Sequence, residues 1–562
     1  MIEFPWIKSY PDGVRWDAKI TPGMLPELLD RAVAKWRDNP AIEFMGKSIT
    51  YGTLGDLVEQ AARGFQKLGV KPGVRVGLYL PNTPHYVISF FAILKAGGTV
   101  VNYSPLDAQK VLHHKIEDSE TDILVTLDLA SLYPMMRPFL GTTHLKTLVV
   151  GNIAEMTPHP EAVSGHLRSA KQLAEVEFGG NCLSFAQLID NEGQVQDYPL
   201  GAPDETLAAV QYTGGTTGQA KGTLLTHANI WAACEQVVAG STVIEEGSER
   251  ILVVLPLFHV YAMVIDMMIG IRMGALMIMH ARFDVQAVVK DLAEKKVTIC
   301  PGVPTMFSAI VNAPGIENFD LKSLKFCASG GAPLPLEVQQ RFERLTGCRL
   351  VEGWGMTETS SVGTLTPLDK ERRPGSCGLP APNIMVKFAD LSDPSHYVPY
   401  GERGEICVSG PNVTKGYWKN EAATKDQITA DGYLRTGDVG YMDADGYIYI
   451  IDRTKDMILC AGFNVYPRNI EEAIYEHPSV AEVSVIGIPD AYRGQSPKAF
   501  VKLKDGVAPV TLEELQAFLK PRLGKHEMIA ELEILAELPK TLVGKLSKKE
   551  LYERETRRRG DN

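Results

Sequence analysis

Between residues 50 and 360, short β-branched runs alternate with longer amphipathic stretches, and this alternation restricts the fold more than any other feature of the chain. Runs rich in Val, Ile, Leu and Thr fall at 75–80, 99–104, 122–127, 147–150, 208–213, 251–255, 297–299 and 324–328, while apolar residues at helical spacing fill 54–68, 86–96 and 285–295. Strand signals alternating with helix signals imply an α/β fold, with parallel-type sheets covered by helices. Ligands of such sheets bind in the crevice beyond the carboxyl ends of the strands. After Thr366 the pattern breaks at Pro374, Pro380 and Pro382, and short strand signals flank the turn Asp445-Gly446, which predicts a small β-rich subdomain. The remainder reads as a compact α+β unit with a helix from Pro467, strands near Val483 and Phe500, and a helix at 512–519.

At 562 residues the chain exceeds what one core usually serves, so more than one domain is expected. Lys plus Arg number 57 against 68 Asp plus Glu, a formal net charge of −11. That balance argues against a nucleic-acid binder, and an anionic ligand must therefore be held by a local site. The eight cysteines are scattered singly, with no CxxC pair and no histidine at metal-ligand spacing, which predicts buried, reduced residues of a cytoplasmic protein and no zinc site. The N-terminus carries no basic stretch leading into an apolar one. The most apolar region, 261–279, is interrupted by Asp266 and Arg272 and suits a buried helix and strand better than a membrane span. No integral membrane segment is expected, which leaves room for peripheral membrane contact.

The most informative segment is Tyr212-Thr-Gly-Gly-Thr-Thr-Gly-Gln-Ala-Lys221-Gly222, read here as a loop between a strand and a helix starting near His227. Gly214, Gly215 and Gly218 let backbone N–H groups converge on an anion; Thr213, Thr216 and Thr217 add hydroxyl donors; Lys221 adds a point charge. The composition suits a triphosphate. No Gly-Lys-Ser/Thr closes the loop, so it is not a Walker A motif, and the Gly-Lys-Ser at 46–48 has Ala41 where that motif needs its first glycine. The lesser alternative for the bare loop is a flexible glycine turn.

Five further segments follow in order: Ser329-Gly-Gly-Ala-Pro333, Glu352-Gly-Trp-Gly-Met-Thr-Glu358, Tyr433-Leu-Arg-Thr-Gly-Asp438, Asp452-Arg-Thr-Lys-Asp456 and Pro539-Lys-Thr-Leu-Val-Gly-Lys545. With the 212–222 segment they resemble the core motifs of the AMP-forming acyl-CoA synthetases, a family of the adenylate-forming superfamily. The resemblance runs from about Thr50 to Leu551, and the stretches 431–438 and 457–467 are most similar to bacterial medium- and long-chain fatty acid CoA ligases.

The resemblance implies an ATP-dependent ligase that joins a carboxylic acid to ATP, giving acyl-AMP and pyrophosphate, and then exchanges AMP for the thiol of coenzyme A. It implies a nucleotide- and acyl-binding domain at 1–452 and a mobile domain at 453–562, with a hinge at about 452–455 that includes Lys455. Residues 213–218 and Lys221 would hold the phosphates, and Glu358 the Mg²⁺ that accompanies them. Gly331, Ala332, Pro333, Glu352, Gly353, Trp354, Gly355, Met356 and Thr357 would form the adenine slot and its surroundings. Asp438 would accept the ribose hydroxyls with support from Arg453. Lys545 would balance charge on the α-phosphate and the attacking carboxylate, and His259 would stand at the mouth of the acyl and pantetheine channels. Gly462 would face the pantetheine tunnel after the small domain rotates. Thr213, His259, Glu358 and Lys545 are the expected catalytic set. Because Lys545 must leave the site during turnover, a lysine acetyltransferase acting on it is a further expected partner.

Several residues depart from the family pattern: Gly214 stands for Ser, Ala220 for Pro, Trp354 for Tyr, and Lys548 where Arg is common. Gly355 stands where acetate-specific relatives carry a pocket-closing Trp, which predicts an open acyl pocket and a preference for chains of roughly eight carbons or more. Alternative readings are a ligase for an aromatic or dicarboxylic acid, and a catalytically silent nucleotide-binding protein of the same fold.

Overall fold

The expected alternation builds two seven-stranded sheets, and the computed structural model describes residues 4–213, 220–370, 373–460, 463–490, 492–541 and 545–560. In the first sheet the strands run Cys182–Ser184, Thr147–Gly151, Ile123–Leu127, Arg75–Leu78, Thr99–Asn102, Leu207–Thr213 and Lys221–Thr226 in spatial order. In the second they run Arg349–Glu352, Phe326–Ser329, Ile299–Gly302, Arg250–Val253, Leu276–Met279, Pro40–Phe44 and Lys47–Thr50. Neighbours are parallel except for one antiparallel pair at the edge of each sheet.

Both antiparallel strands differ from the sequence reading. The segment after Thr213 does not lead directly into a helix: Lys221–Thr226 returns alongside Leu207–Thr213, pairing Thr213 with Lys221, and only then does the helix His227–Gly240 begin. Residues 214–219 lie outside the described residues; Thr213 and Lys221, which flank them, are paired side by side. The hairpin Pro40–Phe44/Lys47–Thr50 joins the second sheet, with Ile42 beside Met277, although the first sheet follows it in sequence. Strand Ile299–Gly302 begins where the 297–299 run ends and contains Pro301. Its ladder to Arg250–Val253 is limited to Ile251 and Ile299, so the missing proline N–H interrupts no pairing on that side.

The helix Pro84–Lys95 is buried from Pro84 to Leu94, as its apolar residues on all sides require. Tyr86 Oη lies 2.8 Å from both Asn102 Oδ1 in the first sheet and the Leu257 carbonyl beyond the second. Asn82 donates to the Leu255 carbonyl and accepts from the Leu257 N–H, both at 2.8 Å. These buried polar ties fix one sheet against the other. Thr226 caps the helix His227–Gly240 reciprocally with Asn229, and Asn229 Nδ2 also donates to the carbonyls of Pro411 and Val413.

The β-rich expectation corresponds to a third, antiparallel sheet of Tyr397–Val398, Met385–Ala389, Gly404–Ser409, Leu434–Met442 and Ile448–Arg453. A turn at 454–456 leads to a fourth sheet, built around Val480–Asp490 and Gly494–Leu503, with the helices Pro467–Tyr475 and Leu512–Leu519. This last unit has its own core, including Ile458, Ile470, Ile474, Val483, Val501 and Leu519. Arg468 anchors it: its backbone N–H donates to Asp452 Oδ2 at 3.0 Å and its guanidinium to the Ile450 carbonyl at 2.6 Å. All eight cysteines are buried and unpaired. Among the described residues no helix is long and apolar enough to cross a membrane.

Candidate active site

A cavity of about 550 Å³ opens where the carboxyl ends of the second sheet meet the third sheet and the C-terminal unit. Its apolar half runs along one face of the second sheet. Phe326, Ala328 and Gly330 line it in succession, as the two-residue period of a strand demands. Ile251, Ile299 and Phe326 are register neighbours on three adjacent strands and form one rung across its far end. The opposite wall comes from Val237 on the capped helix and from Ile265 and Ile269, which are carried by the π-helical turn Ala262–Met268 and the helix that continues it. From Gly330 to Phe326 the strand covers about 13 Å at roughly 3.3 Å per residue.

The other half of the cavity is polar, and most of the predicted residues reach it, although Asp438 is buried just behind Gly437 and is not among the residues that line it. Thr213 and Lys221 reach it from the hairpin ends, Glu352 through Glu358 from the segment after the last strand, and Arg453, Lys455 and Lys545 from the far side. His259 and Gly331 line the junction of the two halves. Ala332 and Pro333 continue the same segment but are not among the lining residues. Gly214, Gly215, Thr216, Thr217, Gly218 and Gly462 lie outside the described residues.

Lys545 enters over Gly331, whose φ of +82° and missing side chain are both used: an added Cβ would lie 2.3 Å from Lys545 Cε. Burial, followed by the charge of Arg453, lowers the Lys545 ammonium to about 8. His259 is lowered to about 3, mainly by burial and then by Lys545, and is therefore neutral. Its Nδ1 accepts the Tyr261 N–H at 3.2 Å, which places the ring proton on Nε2. Burial also raises the carboxyl groups of Glu352 and Glu358. Glu352 Oε1 accepts the Leu334 N–H at 2.7 Å, holding the 330–334 segment against the strand end.

Sequence reasoning missed Tyr417, which donates from Oη to Glu358 Oε1 at 2.8 Å and lies under Lys221, whose Nζ is 5.2 Å from the ring centroid. It also missed Gln211, which accepts from Asn102 and donates to the Phe258 carbonyl at the cavity wall. Nothing in the local sequence sets these two apart from ordinary strand and loop residues; only the tertiary arrangement does.

Gly355 needs a correction. A Cβ there would meet the Ser361 carbonyl oxygen at 1.9 Å and its carbon at 2.3 Å. The glycine is required by close backbone approach, so a tryptophan at 355 would displace the 360–362 turn before it could reach the acyl chamber.

A charge-dependent role for Lys545 predicts an alkaline limb in kcat/KM for ATP. The group's folded pKa is depressed, so the charged form is present below about 8 and is lost as pH rises through that value. Lys545→Arg, which stays charged, should remove the limb; a limb unchanged in that variant would show that another group causes it.

A polar chamber joined to an apolar one, with a buried cation delivered from a separate unit, suits an enzyme that brings an anionic group and an apolar chain together. The sequence profile of the AMP-binding enzyme family matches residues 29–418, and that of the AMP-binding enzyme C-terminal domain matches 469–545. The chain belongs to the AMP-binding enzyme family. It is 38% identical over 555 residues to a long-chain-fatty-acid–CoA ligase of Bacillus subtilis, covering 98% of each chain. It is 34% identical to a feruloyl-CoA synthase of Amycolatopsis, covering 92% of this chain and 95% of the relative. Among solved structures, ATP-bound MatB from Rhodopseudomonas palustris superposes with a TM-score of 0.78 at 26% identity, covering 94% of this chain and 98% of that one.

Proposed function

We propose that the chain is an acyl-CoA ligase for medium- to long-chain carboxylic acids. The observation that carries the substrate class is the chamber along Phe326, Ala328 and Gly330. With the carboxylate at Lys545 and the tail toward the Ile251–Ile299–Phe326 rung, about 13 Å accommodates roughly ten carbons of an extended chain. Each buried methylene contributes about 0.8 kcal/mol, so affinity should rise severalfold per carbon until the chamber is filled.

Activation of a carboxylate by ATP brings two anions together, and the polar half answers that need with fixed charge. Lys545 balances charge between the α-phosphate and the attacking carboxylate; Thr213 and Lys221, with the 214–218 loop, hold the remaining phosphates. Glu358 contributes a single carboxylate with one oxygen steadied by Tyr417, and among the described residues no group of three or more His, Cys, Asp or Glu could hold a metal ion. That donor set fits Mg²⁺ arriving with the nucleotide, since Mg²⁺ is commonly held by one or two carboxylates plus phosphate oxygens. When bound, it would neutralise and orient those oxygens. Neutral His259 at the junction separates the two chambers without adding a competing cation.

Transfer to coenzyme A requires Lys545 to withdraw. The 454–456 turn, between two independent cores, is the hinge of this proposal, and its motion would present the segment at Gly462 in place of Lys545. The withdrawn lysine would be open to acetylation, which removes its charge, and the enzyme would work in the cytoplasm.

A coupled assay with coenzyme A over linear acids from acetate to palmitate, with benzoate, ferulate and pimelate, tests the reading. Efficiency should climb from acetate and reach its plateau near ten carbons or beyond. The feruloyl-CoA synthase relative supports the second reading, an aromatic acid, and a maximum at ferulate or benzoate would establish it in place of the first.

A further inference from the structure

Trp354 stands where the resemblance leads one to expect tyrosine, and it does more than present a ring. Its Nε1–H donates to Asp438 Oδ2 at 2.8 Å, while Arg453 Nε donates to Oδ1 of the same carboxylate at 3.1 Å. Asp438 and the indole are both buried, and Trp354 lines the cavity. The larger ring fits because Gly363 lies against it: an added Cβ there would be 2.4 Å from Trp354 Cε3. The Asp438 N–H is itself held by Thr436 Oγ1 at 3.1 Å, so the carboxylate is constrained from its backbone and at both oxygens.

We propose that the Trp354 indole N–H is a positioning group, which sets the plane of the Asp438 carboxylate so that its remaining lone pairs meet the two ribose hydroxyls of ATP. The inference rests on the reading of Asp438 as the ribose acceptor. A carboxylate has about four acceptor sites. One donor at each oxygen leaves one site per oxygen, and two donors fixed in different elements prevent rotation about the Cβ–Cγ bond. A phenol in place of the indole has no donor at the Nε1 position, so the tie is particular to tryptophan. The adenine wall and the ribose acceptor thereby become one unit.

The test compares Trp354→Phe and Trp354→Tyr with the wild type, reading KM for ATP and for 2′,3′-dideoxy-ATP at saturating acid. Replacing the indole changes the adenine wall for both nucleotides alike, whereas loss of a hydrogen bond to a charged group should raise KM for ATP by about tenfold more than KM for the dideoxy nucleotide. In an Asp438→Asn background, which already lacks the charged acceptor, either substitution should add little to that difference. An equal rise for both nucleotides in both variants, with discrimination intact in the wild type, would overturn the positioning role and leave the ribose reading standing. An Asp438→Asn variant that still discriminates ATP from its dideoxy analogue as the wild type does would overturn the ribose reading, and the proposal with it.

Discussion

Lys545→Ala will lower acyl-adenylate formation by a factor on the order of 10²–10³, the usual cost of removing one group aimed at developing charge. Transfer of the acyl group from preformed acyl-AMP to coenzyme A should stay within a few-fold of wild type, because in the proposed mechanism the lysine serves only the arrangement that precedes transfer. The expectation follows from the stem of Lys545 lying over Gly331 and from its delivery by a unit with its own core. Lys455→Pro should do the reverse: fixing φ within the turn between the cores leaves the present arrangement intact but restricts departure from it. Carboxylate-dependent ATP–pyrophosphate exchange reads the first step, and single-turnover thioester formation reads the second. Equal losses of both steps in both variants would be incompatible with two alternating arrangements.

Ala328→Phe will invert the order of preferred acids. Ala328 lies midway between the rung and Gly330, facing the chamber, so a phenyl group there should end the usable length after roughly five carbons. Forfeiting the burial of four or more methylenes at about 0.8 kcal/mol each amounts to a hundredfold or more in efficiency toward decanoate, with butyrate retained. The substitution avoids the defect of one at Gly355, where the Ser361 carbonyl occupies the space of any side chain. Measured kcat/KM over even-numbered acids in both proteins decides the matter; a variant that keeps the wild-type order would show that the tail follows another route.

The fold class was legible because its signals are local and repeated: runs at 99–104 and 208–213 became Thr99–Asn102 and Leu207–Thr213, and the helix expected at 512–519 is Leu512–Leu519. Sheet membership was not legible, because it is decided by pairing across long sequence separations, and Pro40–Phe44 beside Leu276–Met279 leaves no mark on either segment. The site divided in the same way. Lys221 stood out because a charge among glycines and threonines is unusual, Glu358 and Lys545 because their segments resemble the family's motifs, and all three reach the cavity. Tyr417 and Ala328 are ordinary residues whose importance comes from what stands opposite them. Gly355 was misread because a missing side chain was taken as open space, when in fact backbone fills it.

The rung of Ile251, Ile299 and Phe326 is contributed by three strands of the second sheet, whereas Trp354, Asp438, Arg453 and Lys545 belong to a post-strand loop, the third sheet and the C-terminal unit. Under the proposed function, the rung that would measure the acid lies on different elements from Asp438, Arg453 and Lys545, although the chamber strand leads directly into Gly331 beneath Lys545. If the proposed function holds, inheritance can act on one without disturbing the other: a single substitution at 251, 299 or 326 would alter which acids are accepted, and the machinery for activating them would pass to the descendant unchanged.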